Sequence, residues 1–165
     1  HVPPHRCDTN GPDLGGAAVR ALSQYAGRPV YVVGSTFRGG RCSNGSGLSS
    51  IGVSWRVLNS RFSGNRATGH GANPPHHPNQ PGGGSGGAIY TDGDNYTLRV
   101  GGTLMRHNHA NEGGGAIFYV SNDLSGTLHL SWSTLEDNVS AGFETIPGIF
   151  YLGKGPIDVQ HSIIR

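Results

Sequence analysis

Five stretches of this chain align beneath one another without a gap: VYVVGSTFRGGRC from Val30, WRVLNSRFSGNRA from Trp55, LRVGGTLMRHNHA from Leu98, LHLSWSTLEDNVS from Leu128 and IDVQHSIIR from Ile157. Counted from the first residue of each, position one is Val30, Trp55, Leu98, Leu128 and Ile157, and position three is Val32, Val57, Val100, Leu130 and Val159. Position six is always Ser or Thr (Ser35, Ser60, Thr103, Ser133, Ser162), and position eight is Phe37, Phe62, Met105, Leu135 and Ile164. One structural unit is therefore used again at each pass of the chain. Inward side chains at positions one and three, then again at six and eight, imply two short period-two stretches with a phase change at a bend between them.

A second element alternates with the first. GGAA at Gly15, GGAI at Gly86, GGAI at Gly114 and the looser PGIF at Pro147 each precede one of the aligned stretches, and GLSSIGVS from Gly47 fills the remaining slot. Successive first positions lie 25, 43, 30 and 29 residues apart. That irregularity suits a solenoid with variable turns better than a propeller, whose blades are longer and more constant. Stacked in register, the coils place Ala88 over Ala116 and Ile89 over Ile117. At position eleven Asn65, Asn108 and Asn138 form an internal ladder, each amide bonding to those above and below. The reading for these asparagines is structural.

Composition agrees with turns and short strands rather than helices. There are 29 Gly and 10 Pro in 165 residues, and 13% of residues are charged, with a formal net charge of +2. No apolar run approaches the roughly 18 residues of a membrane-spanning helix. No Lys/Arg block suggests a nucleic-acid backbone as partner. Cys7 and Cys42 are the only cysteines and lie in no CxxC pair. A Cys7–Cys42 disulfide in an oxidising compartment is the expectation, with two buried thiols as the alternative. The chain begins at His1 rather than Met, which reads as a processed product, a fragment or a trimmed piece.

The alternation of GGAI with the ΦxΦxxSxFxxNxA phrase resembles the right-handed parallel β-helix repeat proteins of the pectate-lyase-like superfamily, above all secreted bacterial members of unassigned activity. A similar GGAI phrase marks some bacterial outer-membrane passenger domains. The resemblance covers Gly15 to Arg165 and implies an all-β parallel β-helix of about five coils. Residues 1–14 form an N-terminal segment, 15–165 the β-helix, and 68–85 an exposed Pro/Gly/His-rich loop. It also implies a secreted or extracellular location. Because the matching positions are core and corner positions, the resemblance leaves activity open.

Activity has to be sought in sites. GHG at Gly69, His70 and Gly71 matches one polygalacturonase-like motif, but the companion Asp-Asp, Asn-Thr-Asp and Arg-Ile-Lys motifs are absent, and glycoside hydrolysis needs two flanking carboxylates. Lyase chemistry needs carboxylates for Ca²⁺ and a base for the proton α to a uronate. Extrapolated stacking puts Asp94, Asn122 and Lys154 in one column with Asn95 beside Asp123, so Asp92, Asp94, Asp123 and Lys154 are the carbohydrate or Ca²⁺ candidates. The competing reading makes TDGDN and SNDLSG ordinary polar turns. His107, His109, His70, His76 and His77 are candidate metal ligands, as is His1 for copper, although nothing in the spacing fixes a geometry. No cofactor is expected beyond that Ca²⁺.

With no dense cluster of Asp, Arg and Lys and few aromatics on the solvent side, the function expected is a non-catalytic extracellular module. Its faces are structural or contact polysaccharide or another cell-surface component. The alternative is a polysaccharide lyase or glycoside hydrolase. Because the sequence stops in mid-repeat at VQHSIIR, either a longer protein has been cut or copies meet end to end in a filament.

Overall fold

A strand that pairs with its own equivalent in the next repeat must run parallel to it, and a short, turn-bounded repeat allows this only if the chain winds into a helix of strands. The computed structural model, which describes residues 6–7, 15–70 and 83–165, has this architecture. Among the described residues there is no α-helix, and the strands fall into four parallel sheets. Sheet I stacks Val19–Ala21, Leu48–Ile51, Ile89–Asp92, Ile117–Val120 and Ile149–Leu152. Sheet II stacks Val30–Val33, Trp55–Leu58, Thr97–Gly101, Thr127–Ser131 and Asp158–Gln160. Sheet III stacks Thr36–Arg38, Arg61–Ser63, Leu104–Arg106, Thr134–Glu136 and Ile163–Ile164, and the short sheet IV stacks Arg6–Cys7, Arg41–Cys42, Arg66–Ala67 and His109–Ala110. The fold is an all-β parallel β-helix.

The register is the one the gapless alignment implies. Val32 pairs with Val57, Val57 with Val100, Val100 with Leu130 and Leu130 with Val159. Phe37, Phe62, Met105, Leu135 and Ile164 form the matching column in sheet III. Along sheet I, Ile89 lies against Ile117, and the Ala88 amide donates to the Ala116 carbonyl at 3.0 Å. These columns are the core, where Trp55, Phe62, Ile89, Leu98, Met105, Ile117 and Leu135 are all at most 1% exposed. Trp55 carries its one polar atom inside, and its indole N–H meets the Ser50 hydroxyl at 2.8 Å, as a buried donor must.

Two polar columns hold the bends between sheets. The Asn65 side-chain amide donates to Asn108 Oδ1 at 2.9 Å, and the Asn108 amide donates to Asn138 Oδ1 at 2.8 Å. Gly40 occupies position eleven of the preceding coil, and its N–H donates to Asn65 Oδ1 at 3.0 Å. The Ser/Thr column is equally regular. The amides of Ser35, Ser60, Thr103 and Ser133 donate to the hydroxyls of Ser60, Thr103, Ser133 and Ser162 at 3.1, 3.3, 3.1 and 3.1 Å. Each hydroxyl in turn donates to a carbonyl two residues earlier in its own chain. The bend itself is a left-handed residue at position five, occupied by Gly34, Asn59, Gly102, Trp132 and His161 with φ of 59, 48, 58, 52 and 48°. A second left-handed corner at position ten is Gly39, Gly64, His107 and Asp137.

The paired glycines that open each GGAI phrase do two different things. Gly86 takes φ +69°, which a side chain resists. Gly87 has no left-handed φ, but a Cβ there would stand 2.0 Å from the Gly115 carbonyl oxygen and 2.7 Å from that of His109. At the other end of the described chain a disulfide joins Cys7 to Cys42 with a Cα–Cα distance of 4.4 Å, so the Arg6–Cys7 strand is tied to the corner of the first coil.

Candidate functional site

The two acidic turns lie side by side, and their own chain occupies them. Asp92 Oδ1 accepts from the Gly93 amide at 2.6 Å and from the Asn122 side-chain amide at 3.0 Å, while its Oδ2 accepts from the Tyr90 hydroxyl at 3.2 Å. Asp94 is exposed beside it. Asp123 accepts from the Ser121 hydroxyl at 2.7 Å, the Ser125 hydroxyl at 2.6 Å, the Ser125 amide at 3.1 Å and the Asn95 amide at 3.2 Å. Asn95 therefore does lie beside Asp123. Lys154 does not share the column with Asp94 and Asn122. Its amide donates to Gly126 O at 2.8 Å and its carbonyl accepts from the Tyr151 hydroxyl, so the chain has already turned toward sheet II at that point.

A Ca²⁺ site takes about 6–8 oxygen ligands, whereas the Asp123 oxygens already accept four bonds from the turn. Among the described residues no three His, Cys, Asp or Glu side chains converge on one point. The bonds to Asp123, first from the Ser125 hydroxyl and then from Ser121, hold its carboxyl well below the ordinary aspartate range. Its folded state thus prefers the ionised form, so this contribution to stability is complete above the unfolded value of about 3.9 and is lost only as pH falls toward the depressed folded one. A side-chain carboxyl NMR titration is expected to find Asp123 still ionised at about pH 3, where an ordinary aspartate is mostly protonated. Half-titration near the ordinary value would show that the turn does not hold it.

Among the described residues the candidate histidines do not gather. The His107 ring sits outside at a left-handed corner, with Nε2 3.4 Å from Asp137 Oδ2, and His109 Nε2 lies 3.2 Å from Asn111 Oδ1. His70 is exposed, while His1, His76 and His77 lie outside the described residues.

A different histidine has the most ordered surroundings. On the outer face of sheet II, His129 Nδ1 is 2.8 Å from Asp158 Oδ2 and its Nε2 is 3.1 Å from Thr127 Oγ1. His129 and Gln160 both bond Asp158 and hold its carboxyl below its usual range. Hydroxyl, imidazole and carboxylate stand in the order that nucleophilic catalysis uses. Acyl transfer also needs free N–H donors for the oxyanion, and the Thr127 amide is already bonded to Tyr96 O at 3.1 Å. The trio reads as a hydrogen-bonded surface column. It was readable in the alignment, since register sets Thr127 and His129 on one face and His129 against Asp158.

The surface carries more aromatic rings than the sequence suggested. Tyr90, Phe118 and Phe150 stack along the outside of sheet I with centroids 5.3 and 4.7 Å apart, and Phe143 adds a ring 4.3 Å from Phe150. The expectation of few solvent-side aromatics is thereby corrected: in-register coils place like side chains over one another on outward positions as well. Within this stack the ring faces meet each other at interplanar angles of 5, 20 and 14°. Inside, Tyr96, Tyr119 and Tyr151 form a second aromatic column, and the Tyr96 and Tyr119 hydroxyls donate to Val120 O at 2.6 Å and Tyr96 O at 2.7 Å. Burial pushes all three phenols up.

Residues 59–92 match the family model described as the Chlamydia polymorphic membrane protein repeat. No curated protein and no solved structure gives a match. The matched stretch contains one set of framework positions, namely the bend hydroxyl of Ser60, the core ring of Phe62, the ladder amide of Asn65 and the Gly86–Ile89 corner. It thus agrees with the β-helix on architecture and associates this stretch with a repeat of surface proteins.

Proposed function

We propose that this chain is a non-catalytic module of an extracellular, surface-associated protein, and that its lateral faces bind polysaccharide or another cell-surface component. The observation that carries the reading is the coincidence of the matched repeat with the framework of the coil. The carboxylates that a lyase or hydrolase would use support it, because Asp92 and Asp123 are engaged by their own turns. A rigid rod with in-register faces suits display and contact: it presents the same few columns at every rung, about 4.8 Å apart.

The test is a panel of neutral, uronate-containing and sulfated polysaccharides, with and without Ca²⁺, followed for binding and for product. Binding without new reducing ends or unsaturated-uronate absorbance is the expected result. Turnover of any member would replace this reading with an enzymatic one, and failure to bind any polysaccharide or cell surface would overturn it.

A further inference from the structure

The outside of sheet III carries a basic groove. Register places Thr36, Arg61 and Leu104 in one outward column and Arg38, Ser63 and Arg106 in the next. Between them lies a groove of about 500 Å³ lined by Arg38, Arg61, Ser63, Arg106, Thr36 and His107. Arg38 and Arg106 are two rungs apart, roughly 9.6 Å at the usual strand spacing, and Arg61 comes from the rung between them. Around the corner sheet IV continues the basic surface with Arg66, which is exposed and paired in register with Arg41 and His109.

Three cations so close together normally draw carboxylates. Here residues 14–91 contain seven arginines and no Asp or Glu, so the early coils have none to give. The carboxylate nearest in register is Glu136, the rung neighbour of Arg106, and it is engaged elsewhere: its Oε1 accepts from Arg165 at 2.5 Å. Among the described residues none of Arg38, Arg61 and Arg106 has an acidic partner. Arg106 Nε is moreover buried without any hydrogen-bond partner, an arrangement that costs stability until an acceptor arrives.

We infer that this groove is a binding site for a linear anionic polysaccharide whose carboxylates or sulfates recur along the chain. This rests on the surface-binding reading above and specifies the ligand for it. Guanidinium forks pair with planar oxyanions through two parallel bonds, and their spacing along the rungs lets successive acidic groups meet successive arginines. Thr36 and Ser63 offer hydroxyls for the neutral parts of the sugar. No Phe, Tyr or Trp ring lines the groove, so a single-stranded nucleic acid would lack the large aromatic platforms on which its successive bases stack.

The experiment compares the full chain with R38A, R61A, R106A and R20A, the last removing an exposed arginine on sheet I, against polygalacturonate, heparin oligosaccharides, neutral dextran and duplex DNA. Expected are salt-sensitive binding to one or both anionic glycans, a roughly tenfold loss for each groove variant and less than about twofold for R20A. Thermal unfolding checks each variant's fold, and R61K, which keeps the charge but loses the fork, is expected to weaken binding by itself. Equal losses for R20A and the groove variants would reduce the effect to general charge. Duplex DNA bound as tightly through the same arginines would overturn the polysaccharide assignment. Binding of dextran but of no anionic glycan would sink this inference while leaving the surface-binding reading intact; binding of neither, together with no cell-surface binding, would remove both.

Discussion

Replacing Asn108 by Leu is expected to unfold the central coils before the rest of the molecule. Asn108 Oδ1 accepts from both the backbone and the side-chain amide of Asn65, at 3.1 and 2.9 Å, and its own amide donates to Asn138 Oδ1 and to Phe62 O. A leucine of similar size would fill the space and remove all four bonds in a site only 1% exposed; the Asn65 backbone N–H loses its partner, while the Asn65 side-chain amide keeps Phe37 O and Asn138 Oδ1 keeps the backbone amide of residue 108. At roughly 1 kcal/mol for each of the four bonds lost, and more for the orphaned N–H, the loss is on the order of 4 kcal/mol, a large share of a domain's whole stability. The thermal midpoint should fall by about 10 °C, and hydrogen exchange should rise first between Phe62 and Asn138. An unchanged midpoint would mean that the ladder is ornamental.

Gly87→Ala is the second large effect, and its cause is steric. The added carbon would stand 2.0 Å from one backbone oxygen and 2.7 Å from another, and neither can rotate away. The coils would have to separate where Gly86 and Gly87 amides bond to Gly113 and Gly114. A loss of about 3 kcal/mol is expected from the overpacking alone. Gly34→Ala is the comparison: Gly34, unlike Gly87, is left-handed, at φ +59°, and a Cβ there meets nothing within 4 Å. It should cost only about 1–2 kcal/mol, the backbone term by itself. Equal losses in calorimetry would show that the close approach at Gly87 costs no more than a left-handed residue in open space.

The sequence disclosed what repeats. Parallel pairing in register puts like residue over like, so the columns led by Val32, Phe37 and Asn65 could be read as columns before any coordinates. The Ala88–Ala116 contact followed from the same logic. It concealed what depends on a corner. Asp94, Asn122 and Lys154 share an offset from paired residues, but Lys154 leaves the column after an intervening turn, and no periodicity reports that. Tyr96 was invisible for the same reason, since it comes from the turn before sheet II and packs at a tilt against Tyr119 of sheet I. The arginine groove is the instructive case. Arg38 and Arg106 share position nine of the alignment, yet reading the repeat for its inward positions passes over every outward one.

The left-handed corners have a further consequence. Positions five and ten demand a backbone conformation and nothing from the side chain, and they tolerate Gly, Asn, Asp, His and even Trp132, which stands 69% exposed against His161. Each coil therefore has two sites whose chemistry can be rewritten without disturbing packing, within the modest cost of the conformation itself. His107, one wall of the groove, is such a residue. The solenoid separates its spelling into a fixed grammar inside and an editable text outside, so related copies could keep the same rungs while addressing different surfaces.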